Sequence, residues 1–381
     1  MKKIVTIVGA RPQIIKASAI SRAIKSFYRG EIDEVIVHTG QHYDHNMSEI
    51  FFKELGLSNP AYNIQVGSGS HGEQTAKMIQ GIEEILINEK PHGVILYGDT
   101  NSTISGGLAA VKLHIPIIHI EAGLRSFKKE MPEEINRICC DHMSSMLFVP
   151  TKQGIQNLCN EGFSIDNNGT AELNNPHIYH CGDVMYDNSM YFAQDTQNNS
   201  TILDDLNLNE NQFILCTIHR DSNTDNKVNL LSILKALQNI QESSGLKIVL
   251  PLHPRTKKKI DNLNKEPIVK KVLSNDQMTI IPPAGFFDII ELEKNTKLII
   301  TDSGGLQKEA FFFEKPCVIL REQTEWVEIV DNGNAIICGA DYQKISSAVN
   351  SLMVKTDFTY PSLFGDGNAG KFICSKILSE L

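Results

Sequence analysis

Residues 298–310 read LIITDSGGLQKEA. An apolar run ends at Thr301-Asp302, the chain turns through Ser303-Gly304-Gly305, and helix-forming residues follow from Leu306. This is the pattern of a buried strand, a tight turn and a helix start. Two glycines let a ligand approach the backbone without meeting a Cβ, and the free N–H groups of the first helical turn, with the positive end of the helix dipole, face that position. Such a turn suits a phosphate or diphosphate. Glu309, one and a half turns further in, is placed to accept hydrogen bonds from ribose hydroxyls. A lone Ser-Gly-Gly is more often an ordinary βα turn, so its weight comes from the rest of the chain.

The same rhythm begins at the N-terminal end. Residues 4–8 are a β-branched run closed by Gly9-Ala10-Arg11-Pro12, and apolar residues at 14, 15, 17, 20 and 24 give the following segment a helical spacing. Arg11 and Lys16 flank that helix's first turn. Residues 35–39 form a second strand, which ends at Gln41-His42. A helix around 46–55 and a flexible Gly-Ser loop over 67–72 follow, then a helix over 75–88. Strand 93–97 stops at Gly98-Asp99, a helix spans 103–113, and strand 115–120 stops at Glu121. Pro132-Glu133-Glu134 opens another helix, with Pro early and acids in its first turn. Glu133 and Arg137, four apart, share a face and make an alternative surface pair.

Strands alternating with helices predict parallel sheets, whose ligands sit beyond the carboxyl ends of the strands. Gln41, His42, Asp99 and Glu121 all fall at that edge. The second half repeats the pattern. Strand 213–217 ends at His219-Arg220, strand 247–251 at His253 and Arg255, strand 298–301 at Ser303, and strand 316–320 at Arg321. The expected domains are 1–182 with 362–381, and 183–361.

Composition narrows the function. The chain has 381 residues, 41% apolar and 21% charged, with a net charge of −9. Excess negative charge argues against a nucleic-acid or anionic-membrane surface, so an anionic ligand needs a local basic cluster. No window approaches the ~18 apolar residues of a membrane span. The eight cysteines show no metal-binding spacing and read as reduced thiols, mostly buried. Cys139 and Cys140 are neighbours on a helix and point in different directions.

Gly9-Ala10-Arg11-Pro12-Gln13, Gly98-Asp99-Thr100, His119-Ile120-Glu121-Ala122-Gly123-Leu124-Arg125, Pro132-Glu133-Glu134-Ile135-Asn136-Arg137, Thr217-Ile218-His219-Arg220, Thr301-Asp302-Ser303-Gly304-Gly305 and Phe364-Gly365-Asp366-Gly367-Asn368-Ala369 occur in this order. As a set they resemble the bacterial non-hydrolysing UDP-N-acetylglucosamine 2-epimerases. The resemblance implies an α/β protein of GT-B-like fold, with two Rossmann-like domains facing across a cleft and the C-terminal helix crossing back onto the first domain. It also implies that UDP is expelled from C1 as the C2 proton leaves, and is then added back with a proton delivered to the other face. By the same resemblance, Asp99, Glu121, Glu133 and His219 are the acid/base group. Arg11, Lys16, Arg137 and His219 hold the diphosphate, Ser303, Gly304, Gly305 and Glu309 hold UDP, and Gln41, His42, His253 and Arg321 line the substrate. No nicotinamide cofactor and no metal is called for.

Where some family members use a second glutamine after Gln41-His42 and an arginine near position 70 for an allosteric substrate site, this chain has Tyr43-Asp44 and Gly69-Ser70-His71-Gly72. Its wording is also similar to a branch acting on modified UDP-sugars such as UDP-2,3-diacetamido-glucuronic acid. A GT-B glycosyltransferase, which needs an acceptor, and a hydrolysing epimerase, which releases UDP, are the rival classes. The protein is expected to be a cytoplasmic homodimer whose partner is a UDP-sugar, with no nucleic acid or membrane involved.

Overall fold

The structure, a computed structural model, describes residues 1–40, 52–166, 168–194 and 196–381. It divides into two compact units, Met1–Asn188 with Ser362–Leu381, and Ser189–Pro361. The change of unit falls inside helix Val184–Phe192, later than Gly182. The early part of that helix is fastened to the first unit. The Asp183 N–H donates to the Phe364 carbonyl (2.9 Å), and the Asp187 carboxylate accepts from the N–H groups of Ala369 (3.1 Å) and Gly370 (2.8 Å).

In the first unit, strands β1 (Lys2–Val8), β2 (Ile32–His38), β3 (Tyr62–Asn63), β4 (Gly93–Tyr97), β5 (Ile117–Ile120), β6 (Met146–Val149) and β7 (His177–His180) form one parallel sheet in the order β3-β2-β1-β4-β5-β6-β7. Helices cover such a sheet on both faces, so its strands are apolar throughout rather than alternating. Strands β4, β5 and β6 are buried along their whole length. Val5, Ile7, Val94 and Leu96 pack against Ile82 and Leu86 of helix His71–Glu89 and Ala109 and Ala110 of helix Asn101–Lys112.

In the second unit, β8 (Phe213–Thr217), β9 (Lys247–Pro251), β10 (Met278–Ile281), β11 (Leu298–Thr301), β12 (Cys317–Ile319) and β13 (Ala335–Ile337) are also parallel, in the order β10-β9-β8-β11-β12-β13. Ile214, Leu250 and Ile300 pack with Leu230, Leu234 and Leu237 of helix Lys227–Ser244 and with Ile345 and Val349 of helix Tyr342–Val354. In each sheet the strand order reverses once, between β1 and β4 and between β8 and β11. Open α/β sheets bind ligands at that reversal, outside the carboxyl ends.

Helix Ala369–Glu380 returns to the first unit, as the resemblance implies. The Tyr28 hydroxyl donates to the Lys371 carbonyl (3.0 Å), and a Cβ on Gly370 would lie 2.9 Å from the Ala19 carbonyl oxygen. One expected loop is shortened. Ser70 caps helix His71–Glu89 by accepting from the Glu73 N–H (3.3 Å), so His71 and Gly72 are helical and the helix starts before residue 75. All eight cysteines are free, although Cys139 is exposed rather than buried, while its neighbour Cys140 is buried. Gln41, His42 and most of the helix expected around 46–55 lie outside the described residues. Among the described residues, no helix is long and apolar enough to cross a membrane.

Candidate active site

At the first reversal, β1 enters a turn at Gly9 that only glycine fits. A Cβ there would stand 2.0 Å from Ser102 Oγ and 2.2 Å from Thr39 Oγ1. The buried Gln13 amide ties this turn to the end of β4. Its Oε1 accepts from the N–H groups of Gly9 (2.9 Å) and Ala10 (3.2 Å), and its Nε2 donates to the Tyr97 carbonyl (2.9 Å) and Thr103 Oγ1 (3.0 Å). The sequence shows Gln13 in a motif, but its bracing role exists only once β4 lies beside β1.

Two of the sequence-predicted carboxylates sit here, each beside a cation. Lys16, in the first turns of helix Arg11–Phe27, is ion-paired with Glu121 at the end of β5. Glu121 has φ +70°, a left-handed conformation that costs a non-glycine residue about 1–2 kcal/mol and persists only where surrounding contacts impose it. Arg137 is ion-paired with Asp99 just beyond β4, and Asn136 Nδ2 donates to the Asp99 carbonyl (2.9 Å). Arg137 therefore turns to Asp99 and not to Glu133, its alternative partner in the sequence.

Glu133 itself is exposed on the first turn of helix Pro132–Met143, and Arg11 is exposed at the start of its own helix. The neighbouring Glu134 is the acid that sequence reasoning missed. It is buried, lies 3.0 Å from Arg137 Nη1, and accepts from the N–H groups of Ser126 (2.9 Å) and Phe127 (2.7 Å). This fixes the loop between β5 and its following helix and aims Arg137 at Asp99. Two adjacent glutamates at a helix start differ only in the face they occupy, a difference set by packing.

At the second reversal, Ser303 caps helix Gly304–Phe312, and its own N–H donates to Thr301 Oγ1 (2.9 Å). A Cβ on Gly304 would find nothing nearer than 3.6 Å, and the same distance holds for Gly305. Packing does not demand these glycines, and neither has a positive φ.

Beside the turn, the fully buried Asp302 accepts from the backbone N–H groups of His219 (3.1 Å) and Arg220 (3.0 Å) and from Asn223 Nδ2 (3.0 Å). It also meets His219 Nδ1 at 2.8 Å. Burial alone would raise its pKa, but the His219 ring, Asn223 and the Arg220 N–H outweigh that and hold the carboxyl below its ordinary value. The pair fixes the ring with Nδ1 engaged inward, and half of the His219 side chain is exposed. Asp302, also unpredicted, positions His219 much as a carboxylate orients the base of a catalytic triad.

Other predicted residues are more committed than their charges suggest. Arg321 makes a two-bond contact to Glu325 (2.8 Å each), with Nη1 3.6 Å from the Gly304 Cβ position. His253 is exposed at a helix start, where its Nδ1 accepts from the Arg255 N–H (3.3 Å). Glu309 lies near Glu293, whose buried carboxyl is pushed well up, first by burial and then by the Glu309 charge. Among the described residues no group of three His, Cys, Asp or Glu side chains is arranged to hold a metal ion.

Residues 25–378 match the family model described as UDP-N-acetylglucosamine 2-epimerase. The chain belongs to the UDP-N-acetylglucosamine 2-epimerase family. It is thus an enzyme of the isomerase class. It is 47% identical over 97% of its length to the UDP-2,3-diacetamido-2,3-dideoxy-D-glucuronate 2-epimerase of Pseudomonas aeruginosa, covering 98% of that protein. A UDP-N-acetylglucosamine 2-epimerase of Methanococcus maripaludis is 42% identical over the whole chain and 99% of its own length. The crystal structure of Methanocaldococcus jannaschii UDP-GlcNAc 2-epimerase in complex with UDP-GlcNAc and UDP superposes with a TM-score of 0.86, at 41% identity and 99% coverage of both chains. The family relatives therefore include archaea as well as bacteria, and the two doubly wound sheets are those of its GT-B-like fold.

Proposed function

We propose that this chain interconverts UDP-N-acetylglucosamine and UDP-N-acetylmannosamine without net hydrolysis. A carboxylate takes the C2 proton as the C1–O bond to UDP breaks, leaving a 2-acetamidoglucal. UDP then adds back to C1 as a second acid delivers a proton to the opposite face of C2. The observation that carries this reading is the pair of carboxylates, Asp99 and Glu121, at the ends of neighbouring strands beside the β1/β4 reversal, each tied to a cation. Two acids differently placed about one carbon are what removal and return of a proton on opposite faces require.

Asp99, Glu121 and Glu133 are assigned to proton transfer, with His219 held by Asp302 to stabilise departing UDP. Arg11, Lys16 and Arg137 face the diphosphate. Ser303, Gly304 and Gly305 meet UDP, whose approach would explain two glycines that packing does not demand, and Glu309 takes the ribose. His253 and Arg321 lie at its edge, and Gln41 and His42 are assigned to the sugar. These cationic side chains suffice without a metal; activity lost in EDTA and restored by magnesium would contradict that.

The experiment is to incubate the protein with UDP-sugars in deuterated water and follow C2 by NMR. Deuterium at C2 of both epimers supports elimination and re-addition, whereas epimerised product without it excludes that route. Free UDP and N-acetylmannosamine as the only products would indicate a hydrolysing enzyme. A second substrate, UDP-2,3-diacetamido-glucuronic acid, fits the 47% identity to the Pseudomonas enzyme that bears its name. The ratio of kcat/KM for the two sugars decides between them. We further assign the protein to the cytoplasm as a homodimer supplying surface-polysaccharide precursors; sedimentation at a monomer mass would remove the dimer.

A further inference from the structure

His119, on β5, lies beneath both turns that carry the paired carboxylates. Its side chain is completely buried, as is that of Asp141 on helix Pro132–Met143. Nδ1 stands 2.7 Å from Asp141 Oδ1, and Nε2 stands 2.8 Å from the Gly98 carbonyl oxygen. A carboxylate and a carbonyl oxygen only accept, so both contacts are hydrogen bonds only if both ring nitrogens carry protons, which makes the ring an imidazolium.

The surroundings balance that charge. Asp141 Oδ2 meets Arg125 Nη1 at 2.7 Å, and Arg125 makes a two-bond contact to Glu161 (2.7 Å each), whose Oε2 lies 3.5 Å from His142 Nε2. Burial would raise the Asp141 pKa, but His119 and Arg125 together hold it below the ordinary carboxylate value. Asp141 Oδ2 also accepts from the Gly123 N–H (3.1 Å).

The pair therefore grips two backbone points at once. Gly98 immediately precedes Asp99, and Gly123 comes two residues after Glu121. All three turn residues are left-handed, with φ of +61° at Gly98, +70° at Glu121 and +77° at Gly123. Backbone in that region keeps its geometry only where other contacts over-determine it.

We propose that the buried His119–Asp141 ion pair is a positioning device that sets the spacing of Asp99 and Glu121, with His119 doubly protonated. It rests on the epimerase reading above. Neither residue touches the reacting atoms. Their effect is to keep proton removal and proton return in register, and displacing reacting groups by about 1 Å costs roughly 10²-fold in rate.

The test uses the full chain with His119→Gln and Asp141→Asn, each checked for folding by circular dichroism and for UDP binding by calorimetry. The expected result is kcat lowered roughly 10²-fold with KM nearly unchanged. A larger share of turnovers should also end in free UDP and glycal, because the returning proton no longer meets the intermediate on time. A purely structural role lowers the folded fraction but leaves that share per turnover as in wild type, and such a result overturns the proposal.

Nitrogen-15 NMR of the wild-type imidazole should show two N–H groups on His119, one facing Asp141 and one facing the Gly98 carbonyl. One N–H overturns the charged assignment even if both variants fail to fold. Wild-type protein that epimerises no UDP-sugar would sink the epimerase reading instead, while the same NMR measurement still decides the state of His119.

Discussion

Each unit carries a histidine–aspartate pair, one a strand away from the reversal of its sheet and the other at it, and the two pairs are built to opposite ends. His119–Asp141 is wholly buried, with both ring nitrogens engaged by protein acceptors. His219–Asp302 buries only the aspartate and leaves half of the histidine exposed, with Nδ1 turned inward. The flanking glycines follow suit, since a Cβ on Gly9 would collide with Ser102 and Thr39 while one on Gly304 would meet Arg321 and Glu325 only at ordinary contact distance. The same two side chains thus make a brace where every hydrogen-bonding atom is used, and in the second unit a pair that leaves half of the ring exposed.

The sharpest break in this contrast is His219→Asn. Turnover should fall by roughly 10²-fold or more, with UDP affinity kept within about tenfold because the proposed function gives most of UDP binding to the Ser303 helix end. Unchanged turnover in a folded variant would make His219 a second brace. Asp302→Asn should come next. The amide keeps one acceptor oxygen where four donors converged, so we expect about 1–3 kcal/mol less stability in urea titration and a smaller loss of turnover than at His219. A variant as stable as wild type would show that His219 needs no such anchor.

Gly9→Ala and Gly304→Ala compare the closed and open turns directly. The first should cost about 1–3 kcal/mol through overpacking. The second should stay within about 0.5 kcal/mol while weakening UDP binding, and equal stability losses would erase the distinction.

Acid sharpens the comparison least. Asp141 and Asp302 both have carboxyl pKa values below the ordinary one near 3.9, so their contribution is complete above about pH 4 and is lost as pH falls through the folded-state values. Urea unfolding at about pH 5 and about pH 3 should show a smaller acid loss in Asp141→Asn than in wild type. An identical loss would mean that Asp141 is not depressed.

The contrast also shows what a sequence displays. Strands 213–217, 247–251 and 298–301 were legible to the residue, because a buried parallel strand is an uninterrupted apolar run with polar residues at its end. Asp99, Glu121 and His219 were legible as polar residues just beyond strand ends. Gln13, Glu134, Asp141 and Asp302 were not legible as supports, because each acts on backbone atoms of segments distant in sequence. The two-residue β3 and the helix start at His71 escaped for a local reason: pairing with β2 makes the one, and the Ser70 cap makes the other. A charged residue such as Arg321 looks available in a sequence, and only packing reveals that Glu325 already holds it.

Helix Ala369–Glu380 follows the entire second unit along the chain, yet it seats Ile373, Cys374 and Ile377 in the first. Order of synthesis and order of folding therefore part company. A nascent chain can complete residues 189–361 while the surface around Ala19 and Ala23 still lacks its cover, and during that interval that face of the first helix stands open to chaperones and to other nascent chains.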